Sequence, residues 1–461
     1  MAHHLAAKCE HCGQERLLSV FDAYSRGYNR GCSVCMLTSK GLLPLVRSLF
    51  SHLDIDDSGV TRLLEDPLTR RCMLSVVRGI SHFGIRYPQP VGSPVTIVWN
   101  FTNRCNLDCL HCHQDSSPLP SHPELSTSEA FRVIDNMGDA GVAILTFSGG
   151  EPLLRRDLFD AIKRASESGM LCTIASNGTL MTREVAQRLA KAGTRRIEIG
   201  LDGATPETHD FLRNSVGSFD ATVKGIRNCA AVGFDEIATT MTLHSKNLNE
   251  LEETMSLAER LGATRFYLNR LIPAGRGVDA YYLDVSPREK TIALEALYRK
   301  FRTTIDEGSG MQCYARGMTY YSRLSHERSN GVIFTVSEAL SGYERMFQDR
   351  FGLDVSKIVR KIAAGFGGCS AGLTYAGLDA SGDLLPCVPA PIKLGNLLNQ
   401  SLEEIWVHNE LLNYIRDRKS LKGYCRKCVY SALCGGCRYT AYVTTGDWLG
   451  PDTSCPFGPE V

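Results

Sequence analysis

The sequence "NFTNRCNLDCLHCHQDSS", residues 100–117, places Cys105, Cys109 and Cys112 in the spacing Cys-x3-Cys-x2-Cys. It continues the apolar run "VTIVWNF", whose composition is typical of a buried parallel strand. Thiolates are the usual ligands of iron–sulfur clusters, and three of them leave one iron of a four-iron cluster open. Zinc would need His111 or His113 as its fourth ligand, and residues this close in sequence rarely complete a tetrahedron alone. The stretch therefore predicts a cluster with an open iron, positioned where a strand ends.

Five further apolar runs follow, each separated from the next by a helical pattern. They are "VAILTFS", "LCTIAS", "RIEIGL", "EIATTMTL" and "RFYLNRLI". Ser126 and Glu129 form a capping box that predicts the start of a helix before the second run. Six strand–helix units predict an α/β fold, a partial (β/α)6 TIM-like barrel, whose reactive loops follow the strands.

Composition and charge exclude several classes of protein. The chain has 461 residues, 43% of them hydrophobic, and a formal net charge of +1. Interspersed acids and bases give no electrostatic footprint for nucleic acid. We see no run long enough to span a membrane and no signal-peptide pattern at the start, so we expect a cytoplasmic protein.

The 18 cysteines define the organisation of the chain, because a reducing compartment does not maintain disulfides and favours metal ligands. Four of them, Cys72, Cys172, Cys229 and Cys313, stand alone and are interpreted as small buried hydrophobes. The others group into three sets. The predicted segments are a four-cysteine metal-binding segment at 1–40, a helical linker at 41–92, the barrel at 93–285, a helical insert at 286–367 and a cysteine-rich domain at 368–461.

The N-terminal set is two Cys-x2-Cys pairs separated by nineteen residues, namely Cys9, Cys12, Cys32 and Cys35. This spacing suits four-thiolate tetrahedral zinc, as in a zinc ribbon. The same ligands could hold a single redox-active iron, as in rubredoxin. The segment therefore predicts one zinc or one mononuclear iron.

The motifs after the first four strands resemble those of the S-adenosylmethionine (SAM) radical enzymes. The first is the Cys105, Cys109 and Cys112 motif; the others are "FSGGEP", "SNGTL" and "GLDGATPETHDFLRN". The resemblance implies a four-iron cluster whose open iron chelates the amino and carboxylate groups of SAM. In one departure, His111 stands where the family usually has an aromatic residue. We assign no side chain a catalytic role, because the cofactor carries the chemistry.

The resemblance also implies a set of residues that bind SAM. Gly149, Gly150 and Glu151 would hold its amino group, together with Ser176 and Asn177 of the third motif. Asp202 would hold a ribose hydroxyl and Arg213 the methionine carboxylate, although an ordinary surface role for Arg213 is the alternative. His209 and Asp210, beside them, are interpreted as local capping residues.

The C-terminal seven cysteines resemble the SPASM extension of this family, which carries two auxiliary four-iron clusters. The resemblance implies an outer cluster on Cys425, Cys428, Cys434 and Cys455 and an inner cluster on Cys369, Cys387 and Cys437. The inner set has one cysteine too few, so its cluster either has an open iron or takes a ligand that the sequence does not identify. Zinc at "CRKCVYSALCGGC" is the alternative.

This resemblance implies a cytoplasmic radical SAM oxidoreductase. It would cleave SAM reductively to a 5′-deoxyadenosyl radical, abstract a substrate hydrogen and complete a net oxidation with its auxiliary [4Fe-4S] clusters. Decarboxylation, crosslinking and carbon–carbon bond formation are candidate outcomes. The stretch "LNRLIPAGRG" favours a haem-pathway tetrapyrrole.

Other substrates and roles stay open at this point. A ribosomal peptide, a lipid chain and another small molecule are the alternative substrates. A non-catalytic iron–sulfur electron carrier or scaffold is the alternative of another class. For an enzyme, a reductase, ferredoxin or flavodoxin would supply the electron.

Overall fold

The computed structural model describes residues 2–27, 31–51, 56–119, 122–307, 310–328 and 368–458. The second half of the predicted helical insert, from 329 to 367, lies outside these residues. Within the described part of the chain, no helix is both long enough and apolar enough to cross a membrane.

One sheet organises the molecule. Its strands are β1 Thr96–Thr102, β2 Ile144–Gly149, β3 Leu171–Ser176, β4 Thr194–Gly200, β5 Glu236–Leu243, β6 Arg265–Arg270, β7 Gln312–Arg316, β8 Tyr375–Leu378, β9 Asp383–Leu385 and β10 Gly395–Asn396. The order across the sheet is β10-β9-β8-β1-β2-β3-β4-β5-β6-β7. Strands β1 to β7 pair in parallel in chain order, so the sheet is an open partial barrel.

Helices connect the parallel strands, as such crossovers require. They are α6 Thr127–Ala140, α7 Leu158–Glu167, α8 Arg183–Ala192, α9 Pro206–Arg213, α10 Ser218–Val232, α11 Leu251–Arg260 and α12 Pro287–Glu307. Helix α6 begins at the predicted capping box: the Ser126 hydroxyl accepts from the Glu129 N–H, and the Glu129 carboxylate accepts from the Ser126 N–H. All six predicted strands are present, and their carboxyl ends lie at one edge of the barrel.

The structure adds a seventh parallel strand, β7, inside the segment predicted to be helical. The sequence signal was weak, because only Cys313, Tyr314 and Ala315 are apolar in it. β7 pairs with β6 along its whole length, from Gln312 opposite Arg265 to Arg316 opposite Asn269. The tertiary pairing therefore decides its conformation. The helix that follows it is α13, Tyr321–Arg328.

The C-terminal segment joins the other side of the barrel. β8 pairs in parallel with β1, and β9 and β10 add antiparallel strands beyond it. The Trp99 indole N–H of β1 donates to the Asp379 carbonyl at 3.0 Å. Helices α14 Leu402–His408, α15 Glu410–Arg416, α16 Gly423–Lys427 and α17 Arg438–Thr445 complete this segment. The cysteine-rich part is thus continuous with the barrel sheet, which fixes its sulfur atoms relative to the barrel loops.

The N-terminal segment is helical: α1 Ala2–Ala6, α2 Arg16–Arg26, α3 Ser33–Ser51, α4 Asp57–Glu65 and α5 Pro67–Phe83. Its own core has five buried apolar residues, Leu17, Phe21, Val60, Leu64 and Leu74. The boundary proposed at residue 40 falls inside α3. Arg71 and Arg78 of α5 donate to carbonyls of the barrel, Val142 at 2.9 Å and Ala140 at 3.1 Å.

Three of the four solitary cysteines, Cys172, Cys229 and Cys313, are fully buried in the main apolar core, and Cys72 is half-buried against it. This is the structural position that the sequence predicted for them.

Candidate cofactor and substrate site

The loop after β1 carries the three-cysteine motif at the carboxyl edge of the barrel. Cys105 and Cys109 are buried, and Cys112 is half-buried beside them. Burial raises the pKa of the Cys105 thiol to about 11, so its thiolate requires a nearby cation such as a metal.

The two glycines after β2 are explained by their close approach to this loop. A Cβ on Gly149, which has a φ of +120°, would lie 2.2 Å from the Thr102 carbonyl oxygen. A Cβ on Gly150 would lie 2.0 Å from the Arg104 carbonyl oxygen. The Gly150 N–H donates to Thr102 at 2.8 Å, so the glycine pair and the cluster loop form one unit.

Glu151 is fully buried and joins the second and third motifs. Its carboxylate accepts hydrogen bonds from the Ser176 hydroxyl at 3.0 Å, the Asn177 N–H at 2.9 Å and the Leu153 N–H at 3.1 Å. Burial raises its pKa to about 7, and these hydrogen bonds oppose that rise. The Asn177 side chain in turn donates to the Asn106 side chain of the cluster loop at 2.9 Å.

Asp202 and Arg213 are buried and form an ion pair at 2.7 Å. Burial acts to raise the pKa of Asp202, but the Arg213 guanidinium, together with His111, His209 and the Thr242 N–H, outweighs burial and lowers the pKa to about 2. The sequence assigned these residues to separate parts of SAM, whereas the structure also pairs them with each other. The Arg213 Nε has no hydrogen-bond partner among the described residues, which leaves a donor for a ligand.

The neighbouring polar residues have local roles. Asp210 accepts from the Gly217 and Phe219 N–H groups at the start of α10, as its interpretation as a capping residue requires. The Nδ1 of His209 accepts from the Asp202 N–H at 3.1 Å. Burial lowers the pKa of His111 and of His113 to about 4, so both imidazoles are neutral near pH 7.

Two residues that the sequence did not single out position the cluster loop. Arg276, in the loop after β6, donates to the Cys109 carbonyl at 3.0 Å, the Ser116 carbonyl at 2.9 Å and the Asp115 carboxylate at 3.0 Å. A Cβ on Gly275 would lie 2.5 Å from the Cys112 carbonyl oxygen. The "GRG" tripeptide was the available signal, because a glycine permits this close approach of backbones.

A cavity of about 380 Å³ lies between the cluster loop and the C-terminal segment. His111 and His113 line it on the side of the cluster loop, and Cys369, Cys387 and Cys437 line it on the other side. This volume is within the range of small-molecule sites. Three of the seven C-terminal cysteines therefore face the same space as the barrel loop.

The other four C-terminal cysteines surround a second, separate cavity of about 250 Å³. Its lining includes Cys425, Cys428, Cys434 and Cys455. The Asp452 N–H donates to the Cys425 sulfur at 3.4 Å, and the Gly436 N–H donates to the Cys434 sulfur at 3.4 Å. Hydrogen bonds of this kind to sulfur are typical of cluster ligands.

The four N-terminal sulfur atoms are much closer together. The ligand atoms of Cys9, Cys12, Cys32 and Cys35 all lie within 4.8 Å of one another, and this is the one such group found among the described residues. Tight sulfur spacing suits a single tetrahedral ion with metal–sulfur bonds of about 2.3 Å, whereas a four-iron cluster needs a wider cage. Among the described residues, the segment that carries these cysteines is mainly helical and has an isolated bridge between Lys8 and Glu15, so it differs from the paired strands of a zinc ribbon. Between the two cysteine pairs, residues Arg16–Arg26 form the amphipathic helix α2.

The donor sets fit the groups that the sequence predicted. Three features meet at the edge of the barrel. They are the three thiols, the space at Gly149 and Gly150 that a Cβ would fill, and a buried donor, Arg213 Nε, that has no hydrogen-bond partner among the described residues. Two more cysteine sets line cavities beside it.

Comparisons with known proteins agree with this arrangement. The family model described as the Radical SAM superfamily matches residues 99–258, and the model described as SPASM, an iron-sulfur cluster-binding domain, matches residues 369–429. The AdoMet-dependent heme synthase of Methanosarcina barkeri is 33% identical over 368 residues, which are 80% of this chain and 97% of that protein. The mycofactocin maturase MftC of Mycobacterium tuberculosis is 28% identical over 378 residues, 81% of this chain and 85% of that protein.

A solved structure shares the fold. The crystal structure of SuiB from Streptococcus suis, bound to the precursor peptide SuiA, has a TM-score of 0.65 at 16% identity. The match covers 96% of this chain and 93% of that chain. At this level of identity the likeness concerns the fold alone.

Proposed function

This chain belongs to the radical SAM superfamily and carries a SPASM domain, and from that premise we propose that it is an oxidoreductase acting on a haem-pathway tetrapyrrole. The observation that carries the proposal is the similarity to AdoMet-dependent heme synthase, which extends over 97% of that protein. The proposed reaction is the oxidative decarboxylation of a propionate side chain, which loses a hydrogen atom, carbon dioxide and one electron and becomes a vinyl group.

The cofactors of this proposal follow from the cysteine sets. Cys105, Cys109 and Cys112 hold a [4Fe-4S] cluster, and the two C-terminal sets hold two auxiliary clusters. When bound, SAM and the barrel cluster supply a 5′-deoxyadenosyl radical that removes a substrate hydrogen, and the auxiliary clusters supply a route for the released electron. The N-terminal set holds one zinc or mononuclear iron.

The protein side chains bind and orient these groups. Glu151 is held by three donors in a position to accept a hydrogen bond from the amino group of SAM. Gly149 and Gly150 keep the backbone close to the cluster loop. The Asp202–Arg213 pair offers a carboxylate for a ribose hydroxyl and a free N–H for the methionine carboxylate. Because the Asp202 pKa is lowered to about 2, Asp202 stays ionised through the physiological range.

The main cavity is the proposed substrate site. A substrate bound there would lie between the barrel loop and the inner cysteine set Cys369, Cys387 and Cys437, which line the cavity. A four-iron cluster held by these three cysteines would have one iron that is open or has a ligand other than cysteine. A substrate radical formed in this cavity would therefore lie beside an electron acceptor.

The test is an anaerobic reaction with a reductant, SAM and one candidate substrate at a time. A porphyrin that carries propionate side chains, such as iron coproporphyrin III, should be converted to a product lighter by the mass of formic acid per vinyl group formed. 5′-Deoxyadenosine should form in step with it. If fully cluster-loaded protein leaves several such porphyrins unchanged, the tetrapyrrole proposal is wrong.

A peptide substrate is the second candidate, favoured by the similarity to mycofactocin maturase over 85% of that protein. The same assay with a precursor peptide distinguishes the two. The protein would be a peptide maturase if the peptide releases carbon dioxide or forms a crosslink while no porphyrin is converted.

A further inference from the structure

Arg270, the last residue of β6, is a buried cation that faces the main cavity. Its side chain is 3% exposed and lines the cavity together with the inner cysteine set. Its Nε and Nη2 have no hydrogen-bond partner among the described residues, and no ion pair of Arg270 is found there. A guanidinium has five N–H donors, so most of its capacity is unused.

The other two arginines that line the cavity each lie within ion-pair distance of a carboxylate. Arg316 forms an ion pair with Glu198 at 2.7 Å. Arg196 lies 3.5 Å from Glu236, which also pairs with the buried Arg265 at 3.0 Å. Among the described lining residues, Arg270 is thus the one arginine with no carboxylate within ion-pair distance. The buried Asp452 carboxylate acts on it from a greater distance.

An unpaired buried charge is costly, and proteins retain one where a ligand or a function compensates it. Two compensating groups are conceivable at this position. One is the negative charge of a cluster on Cys437, whose thiolate acts to raise the Arg270 pKa against the effect of burial. The other is an anionic group of the substrate.

The hydrogen-bonding geometry of a guanidinium favours a carboxylate of the substrate over a cluster sulfur as its partner. A cluster sulfur is a weak hydrogen-bond acceptor, whereas a carboxylate matches the planar fork of a guanidinium with two parallel hydrogen bonds. Resting on the tetrapyrrole function proposed above, we propose that Arg270 binds a carboxylate of the substrate and thereby orients it between the barrel loop and the inner cluster. For a tetrapyrrole, this carboxylate is a propionate that is not decarboxylated.

The test compares haem, which has free propionates, with its dimethyl ester as binding probes for the cluster-loaded protein. Titration of the Soret band measures the dissociation constant of each. The parent protein should bind haem more tightly than the ester, and Arg270→Gln should weaken haem binding roughly 10- to 100-fold, as loss of a charge-assisted pair predicts. Binding of the ester should be nearly unchanged.

Two variants control for charge and folding. Arg270→Lys keeps the charge without the fork and should restore part of the affinity for haem. The double variant Glu198→Gln/Arg316→Gln removes a neutral ion pair from the same cavity and should change the binding of acid and ester alike. Iron content and the spectrum of the inner cluster should match the parent in Arg270→Gln, since its role is proposed to be with the substrate.

Each contrary result has a distinct meaning. If Arg270→Gln binds haem and ester as the parent does, the carboxylate role is wrong, and the tetrapyrrole function survives. The role is also wrong if the variant changes only the inner cluster's spectrum or potential, which would assign Arg270 to charge compensation there. If the parent binds neither porphyrin, the proposed tetrapyrrole function is wrong, and so is the role of Arg270 that rests on it.

Discussion

At the scale of single residues, Glu151 is a buried carboxylate that is positioned to accept a hydrogen bond from SAM. Three donors hold its carboxylate in a fully buried position, while burial raises its pKa to about 7. The charged form is therefore only partly populated near neutral pH without a ligand. A hydrogen bond donated by the amino group of SAM would favour the charged form.

The Glu151→Gln variant tests this role, because it keeps the shape and removes the charge. Its affinity for SAM should fall roughly 10- to 100-fold, the loss of one charge-assisted hydrogen bond, about 1.5–3 kcal/mol. In the parent, affinity for SAM should fall as the pH drops below about 7, since Glu151 is then protonated and must lose that proton to accept the hydrogen bond from the amino group. In the variant this pH dependence should disappear.

Anaerobic calorimetry at several pH values measures both effects. Glu167→Gln, on the exposed side of α7, is the matched control and should bind SAM as the parent does. Equal affinity in Glu151→Gln and the control would remove Glu151 from the SAM site.

At the scale of elements, the loop after β6 restrains the cluster loop. Arg276 donates to three groups of that loop, and Gly275 lets the two backbones approach. In Arg276→Ala these contacts are lost, at a local cost of roughly 2–3 kcal/mol. The barrel cluster should then release iron to a chelator several-fold faster, while the C-terminal clusters are unaffected.

The measurement is the rate of iron release, with the electron paramagnetic resonance signals of the reduced clusters recorded in parallel. Arg302→Ala, on the exposed face of α12, is the control for loss of an arginine. An unchanged rate of release from the barrel cluster would mean that Arg276 does not restrain the loop.

The N-terminal helices form an element whose core alone is small. Five buried apolar residues contribute little stability, and small modules of this kind usually depend on a metal. The variant Cys12→Ser/Cys35→Ser should therefore lose the single zinc or iron and expose α1 to α3 to hydrogen exchange. The clusters of the barrel and C-terminal segment should remain.

Metal analysis and hydrogen exchange by mass spectrometry provide the readouts. Cys72→Ala, which changes a half-buried solitary cysteine on α5, should keep the metal. If the double variant retains the ion, the four cysteines are not its ligands.

The elements with strong local signals were predictable from the sequence. The six barrel strands and the Ser126–Glu129 capping box are where periodicity and capping chemistry placed them. β7 was not predictable, because three apolar residues carry too little signal and its pairing with β6 decides its conformation. The same holds for Arg270 and Arg276: an arginine in the sequence does not reveal whether the fold leaves it unpaired in a cavity or against a loop.

At the scale of the whole molecule, the continuous sheet brings the inner cysteine set and two histidines of the cluster loop, His111 and His113, to one cavity. β8 pairs with β1, so the inner set Cys369, Cys387 and Cys437 faces the barrel loop across a space of about 380 Å³. The ligand sets were predicted from the sequence by resemblance, but the sequence could not show that the inner set faces the cluster loop across one cavity. This arrangement is consistent with the proposal that the barrel cluster generates a radical and the inner cluster oxidises the radical formed on the substrate.

Cys387→Ala should separate these two steps. The variant should still form 5′-deoxyadenosine, because that requires only the barrel cluster and SAM, whereas turnover to product should fall at least about tenfold. Iron content should drop from about twelve to about eight per chain, with one four-iron cluster lost. The measurement is the ratio of product to 5′-deoxyadenosine.

Correct folding must accompany this result, since the C-terminal segment depends on its metals. Solubility and the spectra of the two remaining clusters provide the control. Well-folded Cys387→Ala protein that makes product at the parental rate would contradict the role of the inner cluster.

The most direct test of the account as a whole follows the hydrogen atom. A porphyrin deuterated on its propionate side chains is incubated anaerobically with the reduced, cluster-loaded protein and SAM, and the 5′-deoxyadenosine is analysed by mass spectrometry. We predict deuterium in the 5′-deoxyadenosine of the parent and no 5′-deoxyadenosine at all in the Cys105→Ala/Cys109→Ala/Cys112→Ala variant. 5′-Deoxyadenosine free of deuterium, or its absence from fully loaded parent protein, would contradict the account.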